Sequence, residues 1–189
     1  MSSPTDPRPT IAAPDADPWL WLEDVEGEQA LAWVAEQNAA TLGRLADARF
    51  AADRDAVRAA LDRPDKLPVV TRRCSWLYNF WQDAAQPRGV WRRTSLESYR
   101  RPTPDWEVLL DLDALARAEG EDWVWQGATT LPRTHDLAVL RLSRGGGDAV
   151  VLREFDLGER RFVEEGFILP EAKGGLDWLD RDTLLLSSA

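Results

Sequence analysis

The hydrophobic period of the sequence changes at Pro64, and this change constrains the fold more than any other feature. Before Pro64, apolar residues recur at steps of three and four, which predicts helices. After Pro64, apolar and aromatic residues alternate with polar ones in short runs, which predicts strands. The chain is therefore expected to be mainly β, with an N-terminal helical segment.

Two helices are predicted before the change of period. The first begins after Asp24, its expected N-cap, and extends to Leu45. The second covers residues 53–61 and ends before Pro64, which cannot continue a helix. Residues 1–17 contain four prolines among small polar residues and are predicted to form a flexible tail.

The remainder is predicted to be a series of short antiparallel strands. Their connectors are rich in glycine, proline and aspartate, which form tight turns. Such short spacing is typical of a sandwich, a barrel or a propeller. Residues 113–120 fit either a helical turn or a long loop. The predicted strands are 67–82 (one or two strands), 90–94, 106–112, 123–126, 137–142, 149–155, 161–163, 176–179 and 183–187.

Composition narrows the classes of function. The formal net charge is −10, which argues against a nucleic-acid partner. The only notable basic cluster is short, and consists of Arg92, Arg93, Arg100 and Arg101. One cysteine and one histidine exclude an internal disulfide and a His/Cys zinc site. No apolar run is long enough to span a membrane and no secretory signal is visible, so a cytoplasmic location is expected.

Several motifs in order carry a family resemblance. Residues 17–24 read DPWLWLED, and Trp33-Val34 and Gln37-Asn38 follow on the first predicted helix. This arrangement resembles the start of the prolyl oligopeptidase family of serine peptidases, with Trp19 in place of a tyrosine. Residues 140–148, LRLSRGGGD, and residues 178–184 resemble hairpin elements of that family's propeller.

The resemblance implies a seven-bladed β-propeller that caps an α/β-hydrolase domain. Residues 18–66 would then be the N-terminal helical segment that associates with the hydrolase domain. Residues 67–189 would form the first two to three blades, because a four-stranded blade takes about 40–45 residues. The propeller would be partial and truncated, and the catalytic α/β-hydrolase domain would be missing from this sequence.

The chemistry of a serine peptidase is not found in these residues. A serine nucleophile needs a G-x-S-x-G elbow, and none of the eight serines lies in one. Ser143 lies in a predicted hairpin, and His135, the only histidine, precedes it and is predicted to be a turn residue. We therefore expect no catalytic, cofactor-binding or metal-binding residue, and no cofactor. Glu154 and Arg153 lie on a predicted blade strand and receive no role.

The functional hypothesis is that the chain is part of a peptidase that cleaves short peptides after proline. The chain would shape and gate the substrate cavity, and its partners would be peptide substrates and the missing hydrolase domain. A stand-alone binding module with an aromatic surface is the alternative, and a gene cut short is a third possibility. Ten tryptophans make the module worth considering, although tryptophans in strands more often pack in a core.

Three further groups have a functional and a structural interpretation. The structural one is preferred for each: a hairpin turn rather than a phosphate loop, solvated turns rather than a calcium site, and a buried strand cysteine rather than a reactive thiol. The groups are, in that order, Gly145–Gly147; Asp180 with Asp182 or Asp111 with Asp113; and Cys74 beside Arg72 and Arg73.

Overall fold

A computed structural model of the chain describes residues 17–188, apart from the side chain of Ser188. The predicted tail, residues 1–17, lies outside the described residues except for Asp17. The chain divides into two compact units, the first ending at Ala60 and the second beginning at Leu61. No helix within residues 17–188 is both long enough and apolar enough to cross a membrane.

The first unit is helical, as predicted, but its helices begin elsewhere. Asp24 is not the N-cap of the first long helix. Its carbonyl accepts the Gly27 amide in a turn, and Gly27 takes the cap position without a side-chain bond. The second helix starts earlier than predicted, because the Asp47 carboxylate accepts the Phe50 amide at 2.8 Å. The elements are a 3-10 helix, Leu20–Glu23, then α1, Glu28–Leu45, and α2, Ala48–Leu61.

The helices bury almost none of their own apolar side chains. Ala30 is the one buried residue of α1, and α2 has none. Trp21 packs between Trp19 and Trp33, at centroid distances of 6.2 Å and 6.3 Å, yet Trp19 and Trp33 stay exposed. The described part of this unit therefore leaves an apolar surface uncovered.

The second unit begins with a four-stranded antiparallel sheet, which we call the first blade. Its strands follow chain order across the sheet and are β1, Thr71–Arg73; β2, Trp76–Trp81; β3, Val90–Ser95; and β4, Glu107–Asp111. Segment 67–82 thus holds two strands, and the predicted hairpin turn joins β2 to β3. A short helix that was not predicted, α3, Leu96–Tyr99, links β3 to β4.

Residues 113–120, for which the sequence left a helical turn or a long loop open, belong mainly to a helix, α4, Leu112–Glu119. The Asp111 side chain accepts the Ala114 amide at its N-terminus, and Gly120 ends it with φ +68°. A left-handed residue at that position favours glycine.

The second blade contains five strands. In chain order they are β5, Trp123–Thr130; β6, Leu137–Arg144; β7, Val150–Asp156; β8, Arg161–Phe162; and β9, Ile168–Ala172. Both β8 and β9 pair with β7, through Phe155 with Phe162 and Leu152 with Leu169, so the outer strand is split. Strand β9 was not predicted, because Pro170 interrupts its pattern.

A third sheet ends the described chain, and it contains two strands. These are β10, Gly174–Asp180, and β11, Thr183–Ser188, paired antiparallel as predicted. Leu185 and Leu186 on β11 are exposed, at 56% and 51% of their surface.

Two apolar clusters join the sheets, and each face of β6 contributes side chains to one of them. Ala138, Leu140 and Leu142 pack with Trp91 of the first blade. Leu137 and Val139 pack with Trp178 of the third sheet in the other cluster. Between the blades Phe80 stacks on Trp125 at 5.3 Å and 6°. Most tryptophans of the second unit are therefore core residues, as the sequence indicated.

Candidate binding cleft on the first blade

A cleft of about 680 Å³ lies on the face of the first blade that is turned away from the second blade. Alternation along β3 explains the arrangement: Trp91 points into the core between the blades, and Arg92 therefore points to the opposite face. Residues 64–68 and residues 99–106 form the two sides of the cleft, and Arg92 lies between them.

Arg92 is half-buried between two indole rings. Its guanidinium carbon lies 4.4 Å from the centroid of the Trp81 ring and 4.2 Å from that of Trp106. Its Nε donates to Asn79 Oδ1 at 2.8 Å, from the residue directly opposite on β2. The side chain is thus fixed by two cation–π contacts and one hydrogen bond.

The sides of the cleft are tied to each other and to the sheet. The Tyr99 hydroxyl donates to the Pro68 carbonyl at 3.0 Å, and its ring meets Trp106 edge-on at 6.2 Å. Asn79 Nδ2 donates to the Val69 carbonyl at 2.9 Å. These bonds hold residues 64–68 and residues 99–106 in place against the sheet, so contacts within the blade determine the shape of the cleft.

Positive charge at the cleft is only partly compensated. Arg101 forms ion pairs with Glu97 and Asp105. Arg92 has no ion pair with any carboxylate of residues 17–188, and burial lowers its pKa to about 10, opposed by the charge of Asp83. Arg92 therefore remains a cation at neutral pH.

Two more charged groups stand beside Arg92. The Lys66 ammonium lies 4.9 Å from the centroid of the Trp81 ring and donates to the carbonyls of Leu61 and Gln82. The Asp83 carboxylate accepts the Trp81 indole N–H at 2.8 Å. That hydrogen bond, opposed by desolvation and helped by turn amides and Lys66, lowers the pKa of Asp83.

This arrangement is suited to binding rather than to bond cleavage. A cation with fixed geometry and aromatic walls offers charge-assisted hydrogen bonds and apolar contact to a ligand. The residues that line the cleft include no serine, cysteine or histidine, so the cleft presents no nucleophile paired with a histidine base. Across residues 17–188 no group of three His, Cys, Asp or Glu side chains is placed to hold a metal ion.

Ser143 and His135 occupy structural positions. Ser143 is fully buried on β6, where its hydroxyl accepts from Gln126 Nε2 at 3.1 Å. His135 lies in the turn between β5 and β6 with φ +48°, as a turn residue, and its Nδ1 is 3.0 Å from Thr130 Oγ1.

Glu154 and Arg153, which received no role, are structural in the second blade. The buried Glu154 carboxylate accepts the Phe167 amide at 2.8 Å, where the outer strand is split. Arg153 binds Glu119 at 2.8 Å and lies over the Phe162 ring at 3.6 Å.

The prediction for Cys74 was wrong, because the thiol is exposed rather than buried in a strand. The residue lies in the turn between β1 and β2 with φ +50°, and the alternation of the sequence does not reveal this turn. The Cys74 Sγ contacts the Arg133 carbonyl at 3.7 Å, and the Arg72 Nε donates to the Cys74 carbonyl at 3.1 Å.

The glycines lie in a turn, as predicted, whereas the prediction of turns for the aspartates was right only in part. Gly145–Gly147 lie in the β6–β7 hairpin turn, where Gly145 and Gly146 have positive φ. Asp111 ends β4 and caps α4, and Asp113 lies in the first turn of α4 and accepts from the Arg88 amide, 25 residues away. Asp180 ends β10 and accepts from the Asp182 amide in the turn before β11.

The sequence did not predict the cleft itself. Arg92, Arg93, Arg100 and Arg101 were noted only as a basic cluster, and the structure separates them: Arg93 pairs with Glu107 at 2.5 Å on the other face of the sheet. A signal was present, since Trp81 and Arg92 lie near each other across a predicted hairpin. Trp106 joins them only through the fold of residues 96–106.

Successive antiparallel sheets of four and five strands that pack face to face through aromatic residues are typical of the blades of a β-propeller. The family description "Prolyl oligopeptidase, N-terminal beta-propeller domain" matches residues 11–188, and the chain belongs to this family.

Curated relatives are peptidases. The chain is 40% identical to an uncharacterised peptidase of Sinorhizobium fredii (strain NBRC 101917 / NGR234) over 99% of its length. It is 29% identical to an uncharacterised peptidase of Rickettsia prowazekii (strain Madrid E) over 88% of its length. The chain spans about a quarter of these relatives, 26% and 24% respectively.

Solved structures agree on the fold. A post-proline cleaving enzyme from Rickettsia typhi superposes with a TM-score of 0.77 and 31% identity, over 88% of this chain and 26% of that one. Oligopeptidase B from Leishmania major superposes with a TM-score of 0.61 and 17% identity, over 88% of this chain and 23% of that one.

Proposed function

We propose that this chain is the opening propeller section of a serine peptidase that cleaves short peptides after proline. The observation that carries the proposal is the similarity to the post-proline cleaving enzyme from Rickettsia typhi, at 31% identity and a TM-score of 0.77. The nucleophilic serine, its histidine and its acid belong, in this proposal, to an α/β-hydrolase domain outside residues 1–189.

The positions of Ser143 and His135 support a role without catalysis. A nucleophile must be accessible, whereas the Ser143 side chain is enclosed in β6 and bonded to Gln126. His135 bonds to Thr130 within the same turn. We assign residues 67–189 to the blades, which would shape the substrate cavity and limit access to short peptides.

Residues 18–66 form, in this proposal, the helical segment that packs on the hydrolase domain. The support is physical: Leu45 and Val57 are 67% and 59% exposed, and α1 buries only Ala30. Helices that expose apolar side chains are stabilised chiefly by tertiary contacts, which the hydrolase domain would supply in this proposal.

The stand-alone aromatic module receives less support. Trp91, Trp123 and Trp178 are buried, and no row of exposed tryptophans follows the blades within residues 61–188. We also propose a cytoplasmic location, because the exposed thiol of the single cysteine, Cys74, suits a reducing compartment.

Fluorogenic peptide hydrolysis tests the proposal. The 189-residue chain and a longer protein that joins it to a hydrolase domain are assayed with a proline-containing short peptide and its alanine counterpart. We expect turnover by the longer protein alone, with preference for the proline peptide and no cleavage of a folded protein substrate. Equal cleavage of both peptides would contradict the specificity, and cleavage of the folded protein would contradict the gating role.

A further inference from the structure

A second pocket, which we call the interblade pocket, lies between the first and second blades. Its volume is about 200 Å³, and it is lined chiefly by the first strand of each blade, β1 and β5, and by β2. Both blades belong to the described chain, and a further blade would pack on the outer face of the first blade rather than between these two. The pocket is therefore a property of the contact between the two blades.

The pocket lies at the edge where the first strands of the blades meet. Strands β1 and β5 each pair with one neighbour only, so they are edge strands of their sheets. The Trp178 indole of β10 donates to the Thr129 carbonyl of β5 at 2.9 Å, so the first strand of the third sheet lies along the same edge. The blades of a propeller surround a central channel, and the edge that their first strands share faces that channel.

A buried hydroxyl in this pocket points to a ligand. Tyr78 is 6% exposed and lines the pocket, and its hydroxyl has no hydrogen-bond partner within residues 17–188. Buried polar groups of folded proteins are almost always hydrogen-bonded, so an exception needs an explanation. A phenolic O–H can donate to a carboxylate oxygen, which would supply the missing bond.

The cation of the pocket is Arg73. Alternation along β1 places it on the same face as Thr71, which lies directly opposite Tyr78 on β2. Its guanidinium donates to the Arg72 carbonyl at 3.2 Å and forms no ion pair with a carboxylate of residues 17–188. A guanidinium has five N–H donors, so most of those of Arg73 are available to a ligand.

No acid competes for this cation inside the pocket. The residues that line the pocket include no aspartate or glutamate. Glu107, an acid on the same face of the first blade, is engaged by Arg93 at 2.5 Å and by Arg160 at 3.7 Å. The pocket therefore combines hydrogen-bond donors with a positive charge, which is the arrangement that binds a carboxylate.

The volume limits the ligand to a small group. A water molecule takes about 30 Å³ in the liquid, and drug-sized ligands fill pockets of about 300–1,000 Å³. A pocket of about 200 Å³ therefore accepts a group the size of one amino-acid residue. Phe80 and Trp125, which stack at 5.3 Å, and Ala128 line the same pocket and offer apolar contact to the carbon atoms of such a group.

We propose that the interblade pocket binds a carboxylate group, with Arg73 and the Tyr78 hydroxyl as donors and with Phe80 and Trp125 against the adjoining carbon atoms. The carboxylate can come from a peptide C-terminus or from an acidic side chain, and the test separates these two sources. The site goes beyond the proposed peptidase function and does not depend on it, because carboxylate binding needs no catalytic residue.

The first experiment compares four probes on the 189-residue chain. They are acetyl-glycylglycine with a free C-terminus, its amide, the amide of acetyl-glycylglutamic acid, and inorganic phosphate. Calorimetry measures affinity, and NMR of the indole N–H groups locates the site. We expect an acid to bind at least about tenfold more tightly than the neutral amide, and to shift the signal of Trp125 but not that of Trp106, which lies on the other face of the first blade.

The two acids identify the source of the carboxylate. Tighter binding of the free C-terminus supports a peptide end as the ligand, and tighter binding of the glutamate peptide supports an acidic side chain. Equal affinity for the amide and both acids, or no binding of either acid up to about 20 mM, would overturn the proposal. Phosphate that binds as tightly as the better acid would overturn the assignment to a carboxylate.

The second experiment assigns the charge to Arg73. Arg73→Gln is expected to weaken binding of the acid at least about tenfold. Arg72→Gln is the matched control, because Arg72 is the neighbouring residue of β1, points to the opposite face and does not line the pocket. Its affinity should stay within about threefold of wild type. Similar losses in both variants would contradict the assignment.

The third experiment tests the hydroxyl with Tyr78→Phe. In the ligand-free chain this hydroxyl has no partner, so the variant is expected to fold as well as wild type and to bind the acid at least about threefold more weakly. Tyr99→Phe is the control, since the Tyr99 hydroxyl donates to the Pro68 carbonyl outside the pocket. Unchanged affinity in Tyr78→Phe would contradict the role of the hydroxyl.

Thermal unfolding by circular dichroism accompanies each variant. If Arg73→Gln fails to fold, Tyr78→Phe and the comparison of acids with the amide on the wild-type chain decide. An amide that binds the wild-type chain as well as both acids then overturns the proposal.

Discussion

Asp83 fixes the corner that follows β2 with three hydrogen bonds. Its carboxylate accepts from the Trp81 indole at 2.8 Å and from the amides of Ala85 and Gln86 at 2.9 Å and 3.0 Å. Bonds to the charged form lower the pKa of Asp83, with the Trp81 bond as the largest cause. The same residue therefore links the turn to one wall of the cleft.

The pH dependence of stability follows from this direction. A carboxyl group with a depressed folded pKa stabilises the fold above its unfolded pKa, about 3.8, and loses that contribution as pH falls through the folded value. We predict that Asp83→Asn is less stable than wild type near neutral pH, and that the gap closes below pH about 3.8. Urea unfolding at a series of pH values measures the difference in stability between the two proteins. A difference that stays constant with pH would contradict a stabilising role for the ionised Asp83 carboxylate.

Tyr78 has a buried hydroxyl that lacks a hydrogen-bond partner in the described part of the chain. Removing such a group costs no bond, so we predict that Tyr78→Phe is neutral or stabilising by up to about 1 kcal/mol. Tyr99→Phe is the matched control, because the Tyr99 hydroxyl donates to Pro68 at 3.0 Å. That control should lose about 1 kcal/mol. Chemical denaturation compares the two, and a clear loss in Tyr78→Phe would reveal a partner.

The positions of single residues were predicted correctly where the local sequence pattern determines them. They were predicted wrongly where the backbone conformation determines them. His135 was identified as a turn residue from its neighbours. Cys74 was placed in a strand because the surrounding residues alternate, and its φ of +50° is invisible to that pattern. The Arg92 cleft requires Trp106, which reaches Arg92 only after α3 and the loop behind it reverse the chain.

The sequence predicted the presence and order of the strands better than the residues at which they begin and end. The change of period at Pro64 and the turn residues gave the order of β1 to β8 and of β10 and β11. Strand β9 was missed, since Pro170 lies within it and the outer strand of the second blade is broken into two parts. An edge position tolerates proline, because one side of the strand needs no amide donor.

Gly166 marks the break between β8 and β9. A Cβ there would lie 2.6 Å from Glu154 Oε2 and 2.8 Å from the Val163 Cβ, and Glu154 is fixed by the Phe167 amide. We predict that Gly166→Ala destabilises the second unit by about 1–3 kcal/mol, because the carboxylate or the strand must move.

The matched control is Gly147→Ala, whose Cβ would meet only the Arg144 carbonyl at an ordinary 3.6 Å. Its stability should change by no more than about 0.5 kcal/mol. Urea denaturation followed by tryptophan fluorescence compares the two. Equal stability of both variants would show that the break between the strands is not held by Glu154.

In the second unit the sheets are stacked. Aromatic or aliphatic side chains fill each contact between neighbouring sheets, which we call a seam. The first seam contains Phe80, Trp91 and Trp125, and the second is centred on Trp178, whose indole donates to the Thr129 carbonyl at 2.9 Å. The family could be proposed from the sequence because its motifs are local: one lies at the 3-10 helix before α1, and another lies at the β6–β7 hairpin. Pairings across seams depend on distant residues and could not be predicted.

A serine-reactive fluorophosphonate probe labels only an activated serine, so it tests whether the catalytic serine lies outside this chain. The 189-residue chain and a longer protein that joins it to a hydrolase domain are treated side by side, and labelled sites are located by mass spectrometry. We predict no labelling of the eight serines of this chain, and labelling in the longer protein at one serine outside residues 1–189. Labelling of Ser143, or of any other serine of this chain, that disappears on heat denaturation would contradict it.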